Sequence, residues 1–252
     1  MQNVNLENYG LSTNYFGRDC LFFPVMDSTN EYVKNNLKSL NHGQVVCAGY
    51  QEKGRGRNKN SWFGEKDKSL LFTLLIKNHM PPKQAVKTVF IIALAVKFAI
   101  KNIYNISTEI KWPNDIYYNG KKIAGILTGK IENSIIIGVG LNVNQKKFIP
   151  EIANIASSLY LITNQEKHVF NVLAQILNSF EKIFSEFQTT GFEQIKNQVM
   201  ENFYLMGKEI KVTSGTQEYT GICRGMNNEG ELILETQNGL LNIPAGEVHI
   251  CL

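Results

Sequence analysis

The chain has 252 residues, of which 43% are hydrophobic and 19% are charged, as is typical of a globular protein with one large domain and room for a small second one. The formal net charge of +4 is too small to indicate a polyanionic partner. Residues 1–8 lack the basic start and apolar core of a signal peptide, and the longest apolar stretch, 89–100, is too short to cross a bilayer.

Four cysteines are scattered along the chain at positions 20, 47, 223 and 251. No Cys-x-x-Cys pair occurs, which argues against a zinc ribbon or a thioredoxin-type redox site. Cys47 and Cys223 lie within strand-like apolar runs, where we expect them to be small core residues. A reduced, cytoplasmic setting is therefore the expectation.

The pattern of apolar residues predicts an α+β fold with a mixed, mainly antiparallel sheet flanked by helices. Residues 1–19 are polar and show no periodicity. Apolar runs and the hairpin signal Asn119-Gly120 predict strands at 21–25, 45–48, 69–77, 110–118, 121–130 and 135–144. Capping signals and helical spacing predict helices at about 28–38, 83–104, 166–187 and 192–203.

The character of the sequence changes after Gly207. Short predicted strands at 209–212, 218–225, 231–235 and 240–243 alternate with turn signals. Evenly spaced short strands with tight turns are typical of a small β-barrel. We therefore expect two domains, residues 1–204 and residues 205–252.

A glycine-spaced cationic loop follows the second predicted strand and ends at Trp62. Gly54 and Gly56 permit backbone angles that are closed to other residues and let a ligand approach closely. Arg55 and Arg57 carry forked donors that suit a carboxylate or a phosphate. A solvated basic loop, or an arginine-glycine tract that touches nucleic acid, would have the same composition. The loop alone leaves these interpretations open.

Two further segments concentrate polar groups. Ser28-Thr29-Asn30 lies at a strand-to-helix junction, where a simple helix cap would explain it; an upstream Ser12-Thr13-Asn14 has no such setting and is treated as coincidence. A turn alone would explain the end of Lys111–Asp115. It does not explain Lys122, which lies in an otherwise apolar strand and either points to solvent or lies beside anionic groups near Asp115.

Two glycine-containing segments imitate nucleotide-binding motifs but do not match them. Gly125–Lys130 is one residue too short for a P-loop, and Ile131 stands where the motif needs Ser or Thr. Gly138-Val139-Gly140 lacks the third glycine of a dinucleotide fingerprint. These glycines instead predict a ligand lying against the sheet.

Taken in order, these segments resemble the biotin protein ligase family. The matching segments are Asp27–Asn30, Gln51 with Gly54–Arg57, Trp62, Lys111–Asp115, Lys122–Leu127 and Gly138–Asn142. The resemblance runs from about Leu21 to the C-terminus. It implies a catalytic domain like those of lipoate ligases and class II aminoacyl-tRNA synthetases, followed by an SH3-like barrel. Residues 1–20 are too few for the helix-turn-helix domain of larger members, so a monofunctional form that does not bind DNA is expected.

The resemblance implies that the chain uses ATP to convert biotin to biotinyl-5'-AMP and then transfers biotin to a lysine. The implied acceptor is a biotin carboxyl carrier domain of acetyl-CoA carboxylase or a related carboxylase. ATP, biotin and Mg²⁺ are the implied small ligands, with no protein side chain assigned to the metal. No membrane partner is expected, and exposed sheet edges leave a homodimer open.

The resemblance also assigns site residues. The implied biotin-binding residues are Ser28, Thr29, Asn30, Gln51, Gly54, Arg55, Gly56, Arg57, Lys122 and Gly125. The implied nucleotide-binding residues are Arg55, Arg57, Trp62, Lys111, Asn114, Lys122 and Asn142. Lys122, Arg57 and Asp115 are implied to be catalytic: the cations offset the repulsion between carboxylate and phosphate, and Asp115 orients or deprotonates the acceptor lysine.

Three alternatives accompany this interpretation. A lipoate-type ligase shares the fold but gives no reason for Lys111–Asp115. A nucleic-acid-binding module would use the cationic loop at Gly54–Arg57 and the small barrel. An inactive biotin sensor is suggested by Lys59 and Asn60, which stand where the family usually has glycine and often a basic residue. Looser closure over the adenylate is the expected consequence. From the composition of the loop, residues of about 52–66 are expected to be mobile until ligand binds.

Overall fold

The computed structural model describes residues 1–251, apart from the side chain of Lys59. Eight strands form one sheet in the order β1-β2-β3-β4-β8-β7-β6-β5. They are β1 (Gln2–Asn3), β2 (Cys20–Phe23), β3 (Val45–Ala48), β4 (Ser69–Lys77), β5 (Glu109–Lys111), β6 (Asp115–Tyr118), β7 (Lys121–Ile131) and β8 (Ser134–Asn142). β2 and β3 are parallel and the other neighbours are antiparallel. The predicted mixed, mainly antiparallel sheet is therefore confirmed.

The helices cover the two faces of this sheet unequally. They are α1 (Thr29–Asn35), α2 (Pro82–Ala85), α3 (Thr88–Tyr104), α4 (Pro150–Ala153), α5 (Leu159–Thr163), α6 (Val169–Thr190) and α7 (Glu193–Met200). α3 and α6 pack on each other and against one face, where they bury the main hydrophobic core. α3 is buried on nearly every side because its residues are almost all apolar.

Helix α1 packs on the opposite face and leaves much of it uncovered. Val33 of α1 lies against Val46, Leu75 and Ile136 in a second, smaller apolar cluster. α1 begins where Ser28 Oγ accepts from the Glu31 backbone amide at 3.4 Å, the capping contact expected from the sequence. The polar residues at the start of α1 therefore lie next to open sheet surface.

A second sheet is formed by the C-terminal strands β9 (Glu209–Ser214), β10 (Gln217–Met226), β11 (Leu232–Thr236), β12 (Gly239–Ile243) and β13 (Glu247–Ile250). Its order is β12-β11-β10-β9-β13, and all its pairs are antiparallel. This confirms the small β-domain, although its ladder has β12 and β13 at its two edges. Trp112 Nε1 donates to Gly230 O at 3.0 Å and fixes this sheet to the larger one.

The long helix predicted at 83–104 is divided into α2 and α3. Thr88 Oγ1 donates to Ala85 O at 2.6 Å, so a side chain takes a carbonyl at the junction of the two helices. The helix predicted to start near residue 166 begins later, because His168 acts as its cap and Nδ1 accepts from the Phe170 amide.

Residues 1–19, for which the sequence predicted no structure, are held against α6. Leu6, Leu11 and Phe16 are buried. The Glu181 carboxylate accepts backbone hydrogen bonds from residues 14, 15 and 16 at 2.6–3.1 Å. The short elements β1, α4, α5 and β13 were also not predicted. No helix in residues 1–251 is both long enough and apolar enough to cross a membrane.

Candidate active site

The floor of the candidate site consists of two neighbouring rows of residues across the sheet. One row pairs Leu127 of β7 with Gly138 of β8, and Gly138 with Thr73 of β4. The other pairs Asp115 of β6 with Gly125, and Gly125 with Gly140. Residues two apart on a strand point to the same face, so both rows lie on the face that α1 leaves partly open.

A cluster of uncharged polar side chains lies over the first row. Gln51 Oε1 accepts from the Thr29 amide at 2.7 Å and from Thr29 Oγ1 at 3.1 Å. Thr73 Oγ1 lies 2.7 Å from Thr29 Oγ1 and 2.5 Å from Asn30 Oδ1. The Asn30 side chain can lie over Gly138 only because glycine has no Cβ there, since a Cβ would be 2.3 Å from Asn30 Oδ1. The cluster is thus a preformed set of donors and acceptors.

The indole of Trp62 lies directly on the glycines of the second row. A Cβ at Gly140 would lie 2.4 Å from Trp62 Cε2, and a Cβ at Gly125 would lie 2.9 Å from Cζ3. Trp62 Nε1 is buried without a hydrogen-bond partner among the described residues. An aromatic side chain therefore occupies the flat glycine surface that the sequence predicted for a ligand.

Charged residues lie at the end of the second row. Lys122 Nζ lies 2.8 Å from Asp115 Oδ1 and 5.6 Å from the centre of the Trp62 ring. The first contact is a charge pair without hydrogen-bond alignment, since Asp115 Oδ1 has no hydrogen-bond partner among the described residues. Lys111 Nζ lies 3.4 Å from Tyr117 Oη. Burial lowers the pKa of Lys111 from its ordinary value, and Asp115 opposes this shift.

The two arginines of the loop have different surroundings. Arg57 Nη1 donates to Asn114 Oδ1 at 3.3 Å, and Nη2 donates to Gly246 O at 3.1 Å. Burial lowers the pKa of Arg57, while the carboxylates of Asp115 and Glu247 oppose the shift. Arg55 is more exposed and pairs with Glu31 at 3.2 Å. Arg57 is therefore the arginine that is fixed next to Asn114.

These groups line one pocket of about 380 Å³. It contains most of the residues that the sequence assigned, namely Ser28, Thr29, Asn30, Gln51, Arg55, Gly56, Arg57, Trp62, Lys111, Asn114, Asp115, Lys122 and Gly125. Gly54 is not in the lining but accepts from the Trp62 amide at 3.0 Å. Asn142 lies buried outside it, where Nδ2 donates to Ser157 O at 3.0 Å.

Several residues of the site were not predicted from the sequence. Thr73 is one, and its signal was a hydroxyl in the middle of the apolar run Ser69–Lys77. The strand β13 contributes Glu247, Val248 and His249 to the pocket, and no local sequence signal pointed to them. No group of three or more His, Cys, Asp or Glu side chains that could hold a metal ion occurs within residues 1–251.

Comparisons with known proteins agree with this arrangement. Residues 22–144 match the biotin/lipoate A/B protein ligase family, and residues 205–250 match the biotin protein ligase C-terminal domain. The bifunctional ligase/repressor BirA of Bacillus subtilis is 32% identical over 254 residues, which cover 96% of this chain and 77% of that protein. The biotin–[acetyl-CoA-carboxylase] ligase of Paracoccus denitrificans is 28% identical, covering 88% of this chain and 96% of that protein.

A solved structure of a biotin protein ligase is also similar to this chain. The biotin protein ligase from Aquifex aeolicus in complex with biotin and ATP superposes with a TM-score of 0.83 at 27% identity, and the match covers 92% of this chain and 98% of that chain. The agreement extends over both sheets. The chain therefore belongs to the biotin protein ligase family.

Proposed function

We propose that the chain is an ATP-dependent biotin protein ligase. In the first step the carboxylate of biotin attacks the α-phosphorus of ATP, which gives biotinyl-5'-AMP and releases pyrophosphate. In the second step a lysine amine of the acceptor attacks the biotinyl carbonyl carbon, forms an amide and releases AMP. The carrying observation is the order of chemistry along one pocket: uncharged polar groups, then a flat apolar surface, then cations.

The polar cluster suits the ureido ring of biotin. That ring presents one carbonyl acceptor and two N–H donors, which need partners in an otherwise apolar slot. Ser28, Thr29 and Asn30 offer hydroxyls and an amide, and Gln51 and Thr73 hold two of them in place. We assign the ureido ring to this end of the pocket, with Trp62 and the glycine row beside the bicycle and aliphatic chain.

The cationic end suits the junction of carboxylate and α-phosphate. Two anions repel each other as they approach, and fixed cations in a site with little water reduce that barrier. Lys122 lies beside Gly125 at the end of the glycine row, and Arg57 is held by Asn114. We assign these two side chains to the reacting groups, and Lys111, Arg55 and Asn114 to the nucleotide.

Asp115 is assigned to the second step. The incoming lysine carries an ammonium that must lose a proton before it can attack. A carboxylate at the end of the glycine row can attract that ammonium and accept the proton. Because Asp115 also pairs with Lys122, the carboxylate assigned to the second step lies beside the cation assigned to the first step.

Magnesium fits this account as a companion of ATP. Residues 1–251 hold no cluster of acidic and imidazole ligands, so the oxygens of the phosphates would supply most of its coordination. Bound there, magnesium neutralises phosphate charge. The proposed acceptor is a biotin carboxyl carrier domain. The domain boundary near residue 205, the nucleotide role of Asn142, a homodimer and the lack of DNA binding stay predictions.

The direct test is acceptor labelling. Purified protein is incubated with biotin, MgATP and a biotin carboxyl carrier domain, and the acceptor is probed with avidin. Avidin signal that requires both ATP and the acceptor lysine supports the proposal. No signal on several acceptor domains, alongside a working control ligase, contradicts it. Labelling by lipoate but not biotin would favour a lipoate-type ligase.

A further inference from the structure

The arginine loop, residues 51–62, contacts the last strand of the C-terminal sheet through two adjacent side chains. Asn58 Nδ2 donates to Glu247 Oε1 at 2.6 Å, and Arg57 Nη2 donates to Gly246 O at 3.1 Å. Glu247 itself lines the pocket. The loop is therefore closed against a separate structural element, β13, whose residues form part of the wall of the site.

Strand β13 is a fixed support for these contacts. It pairs with β9 along its length, from Glu247 opposite Thr213 to Ile250 opposite Ile210. The same sheet is bound to the larger one at Gly230, which accepts a hydrogen bond from the buried indole of Trp112. The position of Glu247 relative to the pocket therefore does not depend on the loop.

Asn58 suits this contact for two reasons. Its backbone is left-handed, with φ of 49° and ψ of 39°, a conformation that asparagine tolerates better than most residues. Its amide donates to a carboxylate, and hydrogen bonds to charged acceptors are stronger than those between neutral groups. Asn58 is exposed and Glu247 only partly buried, so the contact is able to open and re-form without disturbing a core.

We propose that Asn58 and Glu247 form a latch that holds the arginine loop over the pocket. The closed latch keeps Arg57 directed at Asn114 and slows the escape and hydrolysis of the adenylate. Its opening admits the acceptor lysine. Both are positioning residues, because they act through the loop and Arg57. The inference rests on the proposed function for its consequence, but the contact itself can be tested separately.

An exchange of the two polar groups tests the latch. Asn58→Asp places a carboxylate against Glu247 and repels it, while the backbone conformation stays acceptable to the new residue. Glu247→Gln keeps an oxygen acceptor for Asn58. In the double variant, the amide introduced at position 247 donates to the carboxylate introduced at position 58, so the hydrogen bond returns with donor and acceptor reversed. Asn164→Asp is the matched control, because Asn164 is also left-handed, with φ of 54°.

Two readouts are measured on the full chain. The first is the rate at which biotinyl-AMP is lost from protein loaded with biotin and MgATP, without acceptor. The second is amide hydrogen exchange in residues 54–60 without ligand. We expect Asn58→Asp to lose the adenylate about tenfold faster, as for loss of one hydrogen bond to a charged group, and to exchange faster in the loop. Glu247→Gln should change both readouts less than Asn58→Asp does. The melting temperatures of the variants should agree with that of the parent protein.

The double variant decides whether the latch exists. Both readouts of the double variant should return to within about threefold of the parent protein, since one net hydrogen bond is restored, and Asn164→Asp should match the parent. A double variant no better than Asn58→Asp, or an Asn58→Asp variant with unchanged exchange, overturns the latch. If the parent forms no adenylate, the proposed function fails, and hydrogen exchange alone still decides whether the latch exists.

Discussion

Lys122 and Asp115 form a partly exposed charge pair at the end of the glycine row. Lys122 Nζ lies 2.8 Å from Asp115 Oδ1, and 33% and 19% of the two side chains, respectively, remain exposed. They come from neighbouring strands, β7 and β6, on either side of the hairpin turn at 119–120. Each is therefore close to the other and still accessible to a ligand, which allows the two residues to serve successive steps.

Substituting each residue of this pair should affect a different step. Lys122→Ala should slow adenylate formation by about 10²–10³, the usual effect of removing one electrostatic contact in a transition state. Asp115→Asn should form adenylate at nearly the parent rate and transfer it slowly. Pyrophosphate release in a single turnover measures the first step, and transfer from supplied biotinyl-AMP measures the second.

Lys121→Ala is the matched control for this division, because Lys121 is the exposed neighbour of Lys122 and donates to Ala153 O outside the pocket. It should leave both steps unchanged. Equal slowing of the two steps by Asp115→Asn would contradict the division, as would a normal first step in Lys122→Ala. A lower melting temperature in Asp115→Asn with both steps slowed would indicate that Asp115 supports only the turn.

Gly140→Ala should remove Trp62 from the sheet. The added methyl group would lie 2.4–2.8 Å from the indole atoms, which is too close for contact, so the ring must move. We expect altered tryptophan fluorescence and biotin affinity reduced about tenfold or more, because the floor of the slot loses its shape.

Gly129→Ala is the control for that change, since nothing lies within 4 Å of a Cβ there. Gly129 lies on β7, beside the strand β8 that carries Gly140, and its substitution does not touch the indole. Biotin titrations of the two variants and the parent separate the effects. If Gly140→Ala bound biotin as tightly as the parent, the glycine row would not be part of the biotin slot.

Thr73→Val should weaken biotin binding through its neighbours, because the Thr73 hydroxyl contacts Thr29 and Asn30. Valine has the same shape but no hydroxyl, so Thr29 and Asn30 lose a partner. An unpaired buried polar group costs about 1–3 kcal/mol of folded-state stability, and with Thr29 and Asn30 held less firmly the affinity for biotin should fall. Calorimetric titration with biotin should show the loss, and Thr73→Ser, which keeps the hydroxyl, should restore most of it. Equal affinity in both variants would contradict a role for the hydroxyl.

Ligand should order the arginine loop further. We expect amide exchange in residues 52–66 to slow on addition of biotin and MgATP, because the phosphates give Arg55 and Arg57 new charge-assisted contacts. Exchange in β3, which is fully buried, serves as the internal reference. Loop exchange that is unchanged by both ligands would show that the loop does not close on them.

Local sequence patterns predicted the elements that depend on local physics. The bounds of β3 and β4 agree with their apolar runs, and Asn119-Gly120 forms the expected hairpin turn, with φ of 47° and 78°. Most assigned pocket residues meet in one pocket because the motifs stand at strand ends and turns. The division between α2 and α3 was not predicted; it coincides with the hydrogen bond from Thr88 Oγ1 to Ala85 O.

Contacts between distant segments were not predictable in the same way. Thr73 is recognisable only once β4 is placed beside α1, and Glu247 only once β13 is placed beside the arginine loop. The direct contact of the Trp62 indole with Gly125 and Gly140 is recognisable only once the loop is placed on these strands. These three relationships arise from packing between residues far apart in the chain, which leaves no periodic pattern in the sequence.

The pocket is proposed above all to make biotinyl-5'-AMP. The most direct measurement is to incubate purified protein with biotin and MgATP, denature it, and identify the bound small molecule by mass spectrometry, with and without an acceptor domain. We expect about one equivalent of biotinyl-5'-AMP per chain without acceptor and its disappearance when acceptor is added. At an incubation time matched to one turnover of the parent, Lys122→Ala should hold about 10²–10³ times less of it. Recovery of unchanged biotin and ATP from the parent protein would contradict the account.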